Sequence, residues 1–131
     1  MRYIYFIIVV LGLGACHKKD ESPDYASQIQ GNYKGYFYYM NNSQQADTTS
    51  YIVSIVNLPL TNRVYIIGQY IANPSQLYPV SKLPYQVGGV TDMIGIGGYL
   101  GESWYNNINI FPPASTMVIN GQQCFFAGTK Q

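Results

Sequence analysis

"IQGNYKGYFYYM", residues 29–40, is the stretch whose reading decides the fold. Tyr33, Gly35, Phe37 and Tyr39 alternate with Lys34, Tyr36, Tyr38 and Met40. That is a period of two, the spacing of a β-strand, whose side chains point to opposite faces in turn. Tyrosine and phenylalanine suit a pleated surface. The glycine framing assigns Tyr33, Phe37 and Tyr39 to the interior. Tyr36, Tyr38 and Met40 are then left for the outer face, where an aromatic set can form a partner surface.

The same period recurs outward from this strand. Tyr51–Val56 ("YIVSIV") and Arg63–Ile71 ("RVYIIGQYI") read as strands, with Gly68 as a bend. "NNSQQADTT" and "NLPLTN" divide them. Gln76–Val80 and Lys82–Val87 are shorter candidates, and Pro84 confines the second to an edge or a strand start. "MIGIGGYLGE" adds a glycine-weakened strand, and Ser103–Phe111 reads as one continuous strand stopped by Pro112-Pro113. "STMVI" and "QCFFAGT" flank Asn120-Gly121, the sequence of a tight hairpin turn. No stretch after Ile29 keeps a helical apolar spacing. About eight short antiparallel strands joined by turns predict an all-β domain, an up-and-down barrel that closes on itself and removes its edges. A two-sheet β-sandwich is the alternative.

Before the domain lies a different kind of sequence. Arg2 precedes "YIYFIIVVLGLGA", Tyr3–Ala15, an uncharged run ending in small residues. This is the pattern of a secretory signal peptide, and it is short of the ~20 residues of a spanning helix. Leu13-Gly14-Ala15-Cys16 resembles the lipobox of bacterial lipoproteins, which implies that Cys16 is acylated and becomes the mature N-terminus. An ordinary secretory signal or an N-terminal membrane anchor are the alternatives. "HKKDESPDYASQ" follows, polar and charged, and reads as a flexible tether over residues 16–28. Its Lys18-Lys19-Asp20-Glu21 resembles the export signal of surface lipoproteins of the Bacteroidota, against a plain solvated spacer. The chain thus divides into a leader at 1–15, a tether at 16–28 and a barrel at 29–131. The expected address is the outer membrane, held by lipid, with exposure at the cell surface if the export signal acts.

Gly31-x-Tyr33-x-Gly35, Ile94-Gly95-Ile96-Gly97 and Phe126-x-Gly128-Thr129-Lys130 resemble the small lipocalin-like (calycin-type) lipoproteins of the Bacteroidota. The resemblance implies that the first strand pairs with the last to close the barrel. The chain departs from larger lipocalins: it is shorter, lacks long strand loops and shows no terminal helix, which argues against a roomy ligand cup.

The residues available for chemistry point away from an enzyme. From Ile29 onward the carboxylates are Asp47, Asp92 and Glu102, each in turn-like or glycine-rich sequence, and glycoside hydrolysis needs two close together. The single histidine, His17, lies on the tether, so neither a nucleophile–base pair nor a zinc or iron site is visible and no cofactor is expected. A weak calcium site on loop carbonyls stays open. Cys124, in "QCFFAG", reads as a small buried hydrophobe; a Cys16–Cys124 bridge is its rival. Cationic residues of the domain are only Lys34, Arg63, Lys82 and Lys130, too few and too scattered for a nucleic-acid partner. The glycines of "GIGGYLG" miss the dinucleotide-binding spacing and suit strand curvature.

Aromatics remain, including 14 tyrosines and the single tryptophan, Trp104. Apolar walls with a few placed polar groups make ligand sites, against a plain tyrosine-rich core whose hydroxyls reach solvent. Tyr33, Phe37, Tyr39 and Trp104 are therefore the candidate ligand-binding residues. The expected function is a membrane-anchored, non-catalytic module that holds a small apolar or glycan ligand. The alternative is a structural lipoprotein that docks on an envelope protein through its surface.

Overall fold

A computed structural model describes residues 23–84 and 92–131. A short helix, α1 (Tyr25–Ile29), leads into nine strands: β1 (Gly31–Tyr39), β2 (Tyr51–Leu58), β3 (Arg63–Gly68), β4 (Tyr78–Lys82), β5 (Ile94–Ile96), β6 (Gly101–Trp104), β7 (Asn107–Ile110), β8 (Val118–Ile119) and β9 (Gln122–Lys130). Every strand pairs antiparallel with its neighbour, in the order β1-β2-β3-β4-β5-β6-β7-β9, and β9 pairs back onto β1. The result is a closed eight-stranded up-and-down barrel, consistent with a lipocalin-like fold, with β8 as an extra strand hairpinned onto β9. The sandwich alternative falls away because one sheet closes on itself.

Closure depends on two glycines. Gly35 lies opposite Gly128 in the β1–β9 ladder. A Cβ on Gly35 would overlap the Ala127 carbonyl oxygen and the Gly128 Cα. One on Gly128 would stand 2.7 Å from the Phe126 ring. The last strand can curl against the first only because both positions lack side chains.

The inward faces read as the alternation predicts. Tyr33 and Phe37, Val53 and Ile55, Val64 and Ile66, Tyr78 and Val80, Ile108 and Ile110, and Cys124 and Phe126 are all buried. Phe37 meets Phe126 edge-on with centroids 5.6 Å apart. Side chains thus fill the barrel, as eight strands permit. Ala26 and Ile29 of α1 close one end, and Ile71, Ala114, Ser115 and Met117 close the other.

Three local expectations change. The folded unit reaches back to Asp24, which the sequence reading left in the tether. The Asp24 carboxylate accepts a hydrogen bond from the Ser27 N–H as the N-cap of α1, and the Ala26 N–H donates to Asn62 Oδ1. Five residues are too few for a helical period to show. Second, Ser103–Phe111 is not one strand but the β6–β7 hairpin, turning at Tyr105-Asn106, with Tyr105 at φ +51°. Asn106-Asn107 is the only turn chemistry in that run, without the glycine or proline that usually marks a break, and the β-rich residues on either side masked it. Third, the candidate strand Lys82–Val87 does not begin as one: Lys82 ends β4, Leu83 and Pro84 are not in a strand, and residues 85–87 lie outside the described residues. Asn120-Gly121 turns as expected, at φ +51° and +73°.

Candidate functional site

Among the described residues the barrel interior is filled by side chains. Tyr33 and Phe37 are fully buried core residues. Tyr33 spends its hydroxyl inside the fold, donating to the Ile29 carbonyl at 2.7 Å. Burial raises its pKa, partly offset by the Ser103 hydroxyl. Tyr39 is half-buried at the end of β1, where its hydroxyl accepts from Asn120 Nδ2 at 3.4 Å. Trp104 stands apart from all three. Ser103 points inward and is buried, so Trp104 points outward. Of the four candidate ligand residues, two fill the core, one packs at its rim and one lies on the outer wall. Cys16 lies outside the described residues.

The outer wall of β1, β9, β7 and β6 holds a shallow groove of about 290 Å³. Its lining follows from the register. One row across the strands is Lys34, Thr129, Asn107 and Trp104. The next is Tyr36, Ala127, Asn109 and Glu102. Above them Tyr38 stacks on Phe125 at 5.6 Å, and Phe125 meets Phe111 at 5.5 Å. Ala127 is the small residue between Tyr36 and Asn109, and the wall dips there. Tyr36, Tyr38 and Trp104 are half-buried and border the dip without closing it.

Polar groups in the groove are held in place. Thr129 Oγ1 donates to Asn107 Oδ1 at 3.1 Å. Asn109 Nδ2 donates to Glu102 Oε1 at 3.1 Å. The second Glu102 oxygen and Asn109 Oδ1 remain as acceptors. Lys34 lines the groove, and Glu102 stands behind Asn109 at its opposite corner.

Reading residues 103–111 as one strand hid this site. A straight strand puts Trp104, Ile108 and Ile110 on one face. The two-residue turn resets the alternation, so Trp104 and Asn107 point out while Ile108 and Ile110 point in. The one signal present in sequence was the second aromatic set on β1, Tyr36 and Tyr38.

A second cleft, about 270 Å³, opens between α1 and the β6–β7 turn, lined by Gln28, Ile29, Ile94, Ser103 and Trp104 among others. Its buried polar group, the Ser103 hydroxyl, is already satisfied by the Asn107 carbonyl at 3.0 Å. The carboxylates occupy separate settings. Asp47 accepts from the Tyr51 hydroxyl at 2.6 Å, Asp92 pairs with Lys82 at 3.1 Å and Glu102 lies on the outer wall. That hydrogen bond is the main cause of a raised Tyr51 pKa. Cys124 is a free, buried thiol whose pKa burial raises. Among the described residues no group of three His, Cys, Asp or Glu side chains converges as a metal site would require. Compared with protein-family models, with curated proteins and with solved structures, the chain matches none.

Proposed function

We propose that this protein is a non-catalytic glycan-binding lipoprotein, anchored in the outer membrane through an acylated Cys16, whose barrel binds along its outer wall. The observation that carries the reading is the β1–β9–β7–β6 groove. Three half-buried aromatic rings border oriented amides, one of them held by the Glu102 carboxylate behind it. Aromatic faces suit the C–H faces of sugar rings, and amide and carboxylate groups suit their hydroxyls. The core side chains of the described residues occupy the barrel interior, which favours the glycan over the apolar alternative. The lipobox-like Leu13–Cys16 supports the anchor, and the Lys18–Glu21 stretch supports exposure at the cell surface. The dispersed carboxylates and the buried, high-pKa Cys124 support a binding rather than a catalytic role.

The single tryptophan, Trp104, lies in the groove and reports its occupancy. Titration of the mature chain with soluble β-glucan, xylan and galactomannan should shift Trp104 emission saturably for one of them. Tyr36→Ala and Asn109→Ala should each weaken that response at least tenfold while leaving the unfolding midpoint in place. A flat emission with all three polysaccharides refutes glycan binding in this groove.

One observation favours the partner-docking alternative. On the far wall, Ile52, Val56 and Ile67 of β2 and β3 are 57%, 42% and 43% exposed and adjacent. Co-purification of one stoichiometric envelope protein, lost with Ile52→Ser and Ile67→Ser, would establish it.

A further inference from the structure

The barrel end that carries α1 has unusual turns. β2 and β3 are joined by Leu58-Pro59-Leu60-Thr61, closed by the Thr61 N–H on the Leu58 carbonyl at 3.3 Å. With proline second and φ +66° at Leu60, the third position is one where turns favour glycine or asparagine. A bulky side chain in left-handed backbone is strained. Leu60 has no packing to compensate; it is fully exposed. The β6–β7 turn at the same end repeats the choice. Tyr105 sits at φ +51° and is 82% exposed. Both turns lie at the end of α1, since Asn62 Oδ1 accepts from the Ala26 N–H and the Lys130 N–H donates to the Asn106 carbonyl.

The opposite end differs. Its hairpin turns place Gly97, Gly98, Asn120 and Gly121 at positive φ, as the geometry prefers. Tyr70 is the bulky exception there, and its ring packs on Phe37 and Tyr51 at 6.0 and 5.8 Å. Tyr99 is also exposed at that end, but its backbone is not left-handed. Charge divides the same way. Arg63, Lys82 and Lys130 stand at the α1 end of their strands, and Lys34 lies in the same half of β1. Of the carboxylates there, Asp24 caps α1 and Asp92 pairs with Lys82. Asp47 lies at the other end, beyond the tip of β1.

We propose that the α1 end of the barrel is a membrane seat, with Leu60 and Tyr105 dipping into the interface of a bilayer that carries anionic headgroups. Strain kept at an exposed apolar residue implies a use for that residue outside the fold. Tyrosine is favoured at the membrane–water interface, and lysine and arginine are drawn to anionic headgroups. The inference rests on the proposed anchor at Cys16. Only residues 17–24 separate Cys16 from α1, a reach of at most about 29 Å when extended. The α1 end is therefore the end held near the bilayer, and the groove on the side wall stays open to solvent.

The test moves the fluorophore. In a Trp104→Phe background, Leu60→Trp, Tyr105→Trp and Tyr99→Trp each carry one tryptophan. The acylated full chains are reconstituted into vesicles of phosphatidylethanolamine and phosphatidylglycerol, with and without brominated acyl chains. The seat predicts several-fold greater quenching at positions 60 and 105 than at 99, and a loss of that difference when phosphatidylglycerol is omitted. Tyr105→Trp keeps the test decisive if Leu60→Trp fails to fold. Equal quenching at all positions in chains that float with the vesicles overturns the seat and leaves the anchor standing. Chains that do not float at all, or float equally well as Cys16→Ala, overturn the anchor, and the seat falls with it.

Discussion

Tyr33→Phe removes one oxygen atom from the core and tests whether α1 belongs to the fold. The hydroxyl donates to the Ile29 carbonyl at 2.7 Å, with both residues buried. Ile29 is the last residue of α1, so its carbonyl has no helical partner beyond. Phenylalanine keeps the ring and its packing. It also keeps the contact with Lys130 Nζ, which lies 5.7 Å from the ring centroid while donating to the Gln28 carbonyl at 3.1 Å. The change therefore isolates one hydrogen bond and leaves one buried carbonyl unsatisfied. Orphaning such a group costs about 1–3 kcal/mol. At about 4–8 °C per kcal/mol for a domain near 100 residues, a 2 kcal/mol loss lowers Tm by roughly 8–16 °C. Urea melts followed by Trp104 fluorescence should show a lower midpoint with unchanged m, the sign of a stability change alone. Tyr36→Phe, on the outer wall, is the control and should stay within about 0.5 kcal/mol. If Tyr33→Phe shifts the midpoint no more than Tyr36→Phe does, α1 is not part of the cooperative unit and the argument for its capping role fails.

Two further perturbations probe closure and the buried titrating groups. Gly35→Ala drives a methyl into the Ala127 carbonyl; because the obstacle is backbone, the cost should reach or exceed the ~3 kcal/mol upper range of overpacking. Circular dichroism of the purified variant should show an unfolded or aggregated chain; wild-type stability would mean that β1 and β9 do not pack as closely as described. Raising pH should destabilise the fold. The pKa of Tyr33 and that of Cys124 are raised by burial, so the folded state holds these protons more tightly than the unfolded chain. Their contribution is intact below the unfolded values and fades as pH rises through the folded ones. Urea midpoints should be level near neutrality and fall from about pH 9 to beyond pH 10, with the earlier part of the fall absent in Cys124→Ala. A midpoint that rises over this range would contradict the burial of both groups.

How much was legible in the sequence differs by element. The period-two alternation in Gly31–Tyr39 and Gln122–Lys130 needs no tertiary information, because a pleated strand sends successive side chains to opposite faces. It placed Tyr33 and Phe37 on the inward face where they lie, and Tyr39 with them, which ends half-buried at the rim. Asn120-Gly121 was legible for the same local reason: its left-handed backbone is encoded in residue type. The β6–β7 turn was not. Tyr105 adopts a backbone that its chemistry disfavours, and Asn106 beside it was the one local mark. Helix α1 was silent, because its five residues complete fewer than two turns and no apolar period can repeat. Its stability comes from burying Ala26 and Ile29 against the barrel and from Asn62, which is 36 residues from Ala26 in sequence.

The sequence by itself therefore determined an all-β domain, its first and last strands and its sparse chemistry, all of which follow from local alternation, turn residues and composition, while the choice of a barrel over a sandwich waited for β9 to pair with β1. Only the tertiary structure decided which side chains form the outer-wall groove. Closing the barrel fills the interior and brings Trp104, Asn109, Ala127 and Tyr36, from four strands, onto one outer wall. That arrangement depends on register across β1, β9, β7 and β6 and on a turn that resets the alternation. Register is a property of paired strands, and no single strand's residues encode it.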